Sequence, residues 1–171
     1  MIGSTLGAFV MAGILSTFLM LGRSGANLVN YTTMDAQTRR SLEDFAQDVR
    51  MASNVAWNGE NSITLTVPGN YTSNSNLVTY AWDNTPSSST YQTFYRQPGN
   101  PGSGATRTTY ITNVTSFNYL RFDRLNASAS TDISTKRVQL RMTIARSNST
   151  VVSATDTTLS ASFVLRNKIT N

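Results

Sequence analysis

Apolar and polar positions along the chain change period twice. Residues 1–22 (MIGSTLGAFVMAGILSTFLMLG) hold no charged side chain. As a helix rising about 1.5 Å per residue they reach roughly 33 Å, about the thickness of a bilayer's hydrocarbon core. From 26 to 55 there is no proline, and Leu28, Tyr31, Leu42, Phe45, Val49 and Ala52 recur so as to keep one helical face apolar. The opposite face carries Asp35, Arg39, Arg40, Glu43, Asp44, Asp48 and Arg50, with Arg39–Glu43 and Arg40–Asp44 at the i, i+4 spacing that suits ion pairs. Gly22 and Gly25 form a weak spot between the two halves, and Asn58-Gly59 supplies a stop.

After Gly59 the period falls to two. The segments 62–67, 77–82, 90–96, 108–111, 116–122, 138–145 and 159–165 are β-branched and aromatic with alternating character, and Pro-, Gly-, Ser- and Asn-rich stretches separate them. These patterns predict an α+β fold. Residues 1–25 form an apolar transmembrane helix, 26–57 an amphipathic helix, and 58–171 an antiparallel β-sheet domain. A single sheet must cover its apolar face, so Leu28, Tyr31, Leu42, Phe45, Val49 and Ala52 are expected to pack on it while the first half of the helix protrudes.

Side-chain size within the apolar half adds a second pattern. Ser4, Ala8, Ala12 and Ser16 recur every four residues, with Gly3 and Gly7 beside them. Small residues at this spacing let helix backbones approach closely where water no longer drives association. Other readings of the run are a secretory signal, a buried core helix and a plain anchor. A signal peptide would carry its basic residues ahead of the apolar core, whereas the first here is Arg23. A core helix of this length would show a polar face.

Composition narrows the chemistry. Of the 171 residues none is Cys or His, which removes disulfides, thiolate chemistry and the commonest general base. Nothing in the sequence calls for a cofactor or a metal, and no enzymatic activity is expected. The net charge of +5 comes from a chain only 13% charged, so the surface is mildly basic and mostly neutral. The nine carboxylates are scattered except Glu43-Asp44, which spacing assigns to a solvated helix face. Asp83, Asp123 and Asp132 read as turn formers, since none lies in the alternating oxygen-ligand pattern of a calcium loop.

The whole architecture resembles the type IV pilins and the pseudopilins of type II secretion. Residues 36–55 (AQTRRSLEDFAQDVRMASNV) look like the amphipathic helix of the minor-type members, and 111–123 (ITNVTSFNYLRFD) with 138–144 like their paired strands. The family's N-terminal Phe-Thr-Leu-Xaa-Glu is not present. Gly3-Ser4-Thr5-Leu6-Gly7-Ala8 would put Ser4 for its Phe and Ala8 for its Glu. The favoured register sets Met1-Ile2-Gly3-Ser4 just after that motif, so that the chain begins inside the mature helix. The resemblance implies a structural subunit that waits in a bacterial inner membrane. It then polymerises into a homo-polymeric extracellular filament with the help of a pilus or secretion assembly machinery. The packing residues would be Gly3, Ser4, Gly7, Ala8, Ala12 and Ser16.

The alternative is a membrane-anchored β-domain that binds glycans or DNA by stacking on Trp57, Trp82, Tyr91, Phe94 and Tyr95, with Arg96, Arg107, Arg121 and Arg124 nearby. Asn-Xaa-Ser/Thr sequons at Asn30, Asn70, Asn113, Asn126 and Asn148 suit an exported surface, the last four as possible glycosylation sites.

Overall fold

In a computed structural model, which describes residues 2–146 and 155–169, the chain is one long helix packed against two antiparallel sheets, an α+β fold. Helix α1 (Ile2–Met51) runs unbroken through Gly22 and Gly25. The strands follow as β1 (Asn54–Trp57), β2 (Ser62–Thr66), β3 (Leu77–Asp83), β4 (Thr93–Pro98), β5 (Thr108–Ile111), β6 (Val114–Phe122), β7 (Arg137–Arg146) and β8 (Thr155–Val164). The expected single sheet is instead two meanders, β1-β2-β3-β4-β5 and β6-β7-β8, each in chain order. The split falls at Asn113, whose positive φ of 60° turns the chain between β5 and β6.

The helix ends earlier than the sequence pattern indicates. It stops at Met51, and Ala52 donates its N–H to the Asp48 carbonyl as a last turn. Residues 54–57 then leave as strand β1, and Asn58-Gly59 turns the β1–β2 hairpin, with Gly59 at φ 119°.

The core lies where α1 meets both sheets. Phe45 contacts Tyr80 of β3 edge-on at 5.0 Å, Tyr119 of β6 at 6.1 Å and Phe163 of β8 edge-on at 5.1 Å. One helix residue therefore seals the junction of the two sheets, and aromatic pairs of this geometry add to their area burial. Phe45, Val49 and Ala52 are fully buried as expected, and Leu42 is half-buried against the core. Leu28 and Tyr31 do not pack on a sheet, being 66% and 49% exposed. The buried residues of the helix are Asn30, Met34, Ser41, Phe45, Ala46, Asp48 and Val49, with Ala52 directly after it. At 100° per residue Leu28 and Tyr31 stand a whole number of turns before the buried Ala46 and Val49, so they lie on the same sides of the helix and are exposed because α1 at that level runs beyond the sheets.

Candidate functional site

Two regions of α1 carry the chemistry the chain can perform. The first is its N-terminal half. Every described side chain from Gly7 to Gly25 is exposed, among them Phe9, Met11, Leu15, Phe18 and Met20. The stretch is long and apolar enough to cross a membrane, and none of it is covered by the rest of the chain. A core helix of the domain is therefore not what this segment is. Gly3, Gly7, Ala8, Ala12 and Ser16 all lie on the exposed helix, and nothing approaches the position of a Cβ at Gly3, Gly7 or Gly13. Ser4 belongs to the same helix, but its side chain lies outside the described ones. The polar groups of the helix are answered within it: Thr17 donates to the Gly13 carbonyl at 3.0 Å, and Thr33 to Val29 at 2.8 Å. Such back-bonding removes the cost of placing hydroxyls in an apolar medium.

The second region joins the amphipathic half to the five-stranded sheet. Asp48, 4% exposed, accepts hydrogen bonds at Oδ2 from the hydroxyls of Tyr71 at 2.6 Å and Tyr80 at 2.7 Å. One turn earlier, Asp44 accepts from Tyr110 at 2.6 Å. Arg96 lies 3.9 Å from Asp44, donates to the Tyr71 hydroxyl at 3.3 Å, and stands over the rings of Tyr71 and Tyr110. Burial and the adjoining carboxylates push the Tyr71, Tyr80 and Tyr110 hydroxyls well above the ordinary tyrosine value, so all three remain donors. The arrangement fixes the helix on the sheet.

The expected helix-face ion pairs are arranged differently. Arg39 pairs with Asp35 one turn back, at 2.9 Å, in place of Glu43. Asp44 turns inward to Tyr110 and Arg96, and Arg40 instead borders a cleft of about 380 Å³ with Gln37, Thr109 and Tyr110.

The aromatic residues considered for ligand stacking are mostly enclosed. Phe94 is buried among Tyr80, Tyr110 and Phe117, and Trp82 stacks on Phe117 while its indole N–H donates to the Val114 carbonyl. Tyr95 points to the far side of the sheet yet is only 8% exposed, with Arg107 over its ring at 4.4 Å. Trp57 lies beneath Arg121 and beside Tyr119, and Tyr91 is the exposed one.

Trp82 and Phe94 are enclosed on the core side of the sheet by Phe117 of β6, whereas Pro-, Gly- and Ser-rich loops cover the face that carries Tyr95. These loops fold back across the outer face of the five-stranded sheet. Thr79 donates to the Gly99 carbonyl at 2.7 Å and Gln97 to Ala105 at 3.0 Å. Gly99 has φ 89°, and a Cβ there would meet Ser103 at 2.9 Å, so the loop needs glycine at this point. In the other loop Ser88 and Thr90 donate to Asp83 Oδ2 at 2.6 and 2.7 Å. Burial pushes the Asp83 carboxyl upward, but the Ser88 and Thr90 hydroxyls, the Thr85 N–H and the Arg107 charge outweigh it and hold it below its ordinary value. A polar cleft of about 330 Å³ beside it is lined by Trp82, Asn84, Tyr95 and Arg107, and its carboxylate is engaged.

The remaining acids act in turns or pairs. Asp123 accepts the N–H groups of Leu125 and Ala127, and Asp132 binds Arg121 at 2.9 Å and the Trp57 N–H. Among the described residues no group of three or more acidic, His or Cys side chains could hold a metal ion. Of the sequons, Asn113 and Asn126 are exposed in turns with positive φ, Asn70 is half-buried after a Pro-Gly turn, and Asn30 is buried within α1. Asn148 lies outside the described residues.

No family model and no curated protein sequence matches the chain.

Proposed function

We propose that the chain is a structural subunit of a type IV pilus-like filament, held in a bacterial inner membrane before assembly and extracellular afterwards. One observation carries the reading: the exposed apolar half of α1 is continuous with a half that is rigidly fastened to a folded domain. An apolar surface of this length needs lipid or protein around it. In the proposed mechanism each helix leaves the bilayer for a bundle of identical helices, packing through Gly3, Ser4, Gly7, Ala8, Ala12 and Ser16, while the sheet domains form the outer wall. A repeated head-to-tail contact of this kind builds an open helical assembly and involves no catalytic step. The competing reading, an anchored domain that binds glycans or DNA through Trp82, Phe94 and Tyr95, is weakened by the enclosure of those rings.

The test is Ala8→Leu, expressed with the assembly machinery in a strain without other pilins. Added bulk at the helix contact is expected to lower the number of fibres seen by negative-stain microscopy, with the amount of subunit in the membrane unchanged. An unchanged fibre count removes the packing role. A wild-type chain that forms no fibres at all refutes the filament.

A further inference from the structure

The two sheets treat their outer faces differently. Loops cover that of the five-stranded sheet, whereas the face of β6-β7-β8 turned away from α1 is open. Strand register arranges it in four rows, from Phe122–Arg137–Val164 at one end to Ser116–Thr143–Thr158 at the other. No Asp or Glu occupies these rows, and Asp156 comes only in the position beyond them. Arg141 stands exposed in the row of Asn118 and Ser160. Arg124 and Arg166 follow closely on Phe122 and Val164, and both are exposed. Among the described residues carboxylates pair with Arg39, Arg96, Arg107 and Arg121, but Arg124, Arg141 and Arg166 have no such partner. Arg137 lays its guanidinium over the Phe122 ring at 4.4 Å.

We infer that this face is a docking surface for single-stranded nucleic acid. Charge complementarity calls for a polyanion, and the detail of the face favours one with phosphates and bases. All four cations are arginine, whose planar fork grips phosphate oxygens in pairs. Arg137 and Arg141 are four residues apart on one strand, about 13 Å, so they can engage separate phosphates of an extended strand. The Phe122–Arg137 pair presents a flat guanidinium on which a base can stack, and the neighbouring Asn118 and Gln139 carry amides. Sheet faces combining arginine and a stacking platform bind single strands with little sequence preference. The inference does not depend on the filament reading, since it needs only one subunit.

The experiment measures fluorescence anisotropy of labelled oligothymidylate with the full chain in non-ionic detergent. Four phosphate contacts predict a log–log salt slope near −3, so affinity should fall roughly 50-fold between about 50 and 200 mM salt. Arg141→Glu with Arg166→Glu, both exposed, should weaken binding at least tenfold and roughly halve the slope. Arg39→Glu with Arg40→Glu, on the helix, should leave it unchanged. Absence of wild-type binding, or indifference to the Arg141 and Arg166 reversals, overturns the proposal. Poly(acrylate) competing as well as unlabelled oligothymidylate overturns the nucleic-acid assignment. Loss of fibres on reversing Arg141 and Arg166, with oligonucleotide affinity intact, would assign the face to a second copy of the chain instead.

Discussion

The Tyr80 hydroxyl donates to Asp48 Oδ2 at 2.7 Å, tying the middle strand of the five-stranded sheet to the helix that crosses it. The bond lies in the interior, and Tyr71 supplies the other donor to the same oxygen. Tyr80→Phe keeps the ring packed against Phe45 but leaves a buried carboxylate with Tyr71 as its remaining donor. Hydrogen bonds to charged groups are worth about 1.5–3 kcal/mol, so the loss should be about 2 kcal/mol. Denaturant unfolding in detergent should show a lower midpoint with an unchanged slope. An unchanged midpoint would mean that water or a rearranged Tyr71 replaces the bond at no cost.

Alkaline pH should loosen the same interface. Burial raises Tyr71, Tyr80, Tyr95, Tyr110 and Tyr119 above the ordinary tyrosine value, with Asp48 adding to the first two and Asp44 to Tyr110. The unfolded chain loses these protons near pH 10 and the folded chain keeps them longer. Their contribution is therefore complete below about pH 10 and lost as pH rises further. Lys168 acts in the opposite sense. Burial lowers it, helped by Lys136 and opposed by Asp132, so stability gains from this one group as pH climbs through the window below its ordinary value. Five tyrosines against one lysine give a net loss. Thermal unfolding followed by circular dichroism should fall steeply above about pH 10, and less steeply in Tyr71→Phe with Tyr110→Phe. A melting temperature that stays level through that range would contradict the assignment.

Much of this fold was legible because alternation and apolar run length are local. The segment 108–111 was delimited at both ends, and 62–67 and 77–82 each differ from their strands by one residue. Strand β1 was missed because its four residues follow the helix directly and share its apolar character. Leu28 and Tyr31 were misplaced because periodicity gives a helix its side and not the point along it where the sheets begin, and Asp48 was set on the polar face because its tyrosine partners lie far along the chain. A signal was available: Asp44 and Asp48 at i, i+4 repel on a bare helix, so their spacing asks for donors from elsewhere. Tyr71, Tyr80 and Tyr110 are those donors. The loop cover over the second face of the five-stranded sheet left no such mark, since turn-forming composition says where a chain bends and not where it lies down.

Arg39 and Arg40 separate a filament from a stalked binder. Both are exposed on α1, Arg39 in a solvent-exposed pair with Asp35 and Arg40 beside the Tyr110 cleft, so neither holds the fold together. Reversing both to Glu should leave thermal unfolding of the subunit nearly unchanged, because surface pairs contribute about 1 kcal/mol or less. In a helical polymer the same reversal recurs at every contact along the fibre, and a small unfavourable term per subunit becomes a large one per filament. Fewer and shorter fibres are therefore expected in a strain without other pilins, with membrane levels of the subunit maintained. A solitary anchored domain has no repeated contact for the change to act on. Fibres of normal length and number from the doubly reversed chain would show that this face of α1 does not meet a neighbouring subunit.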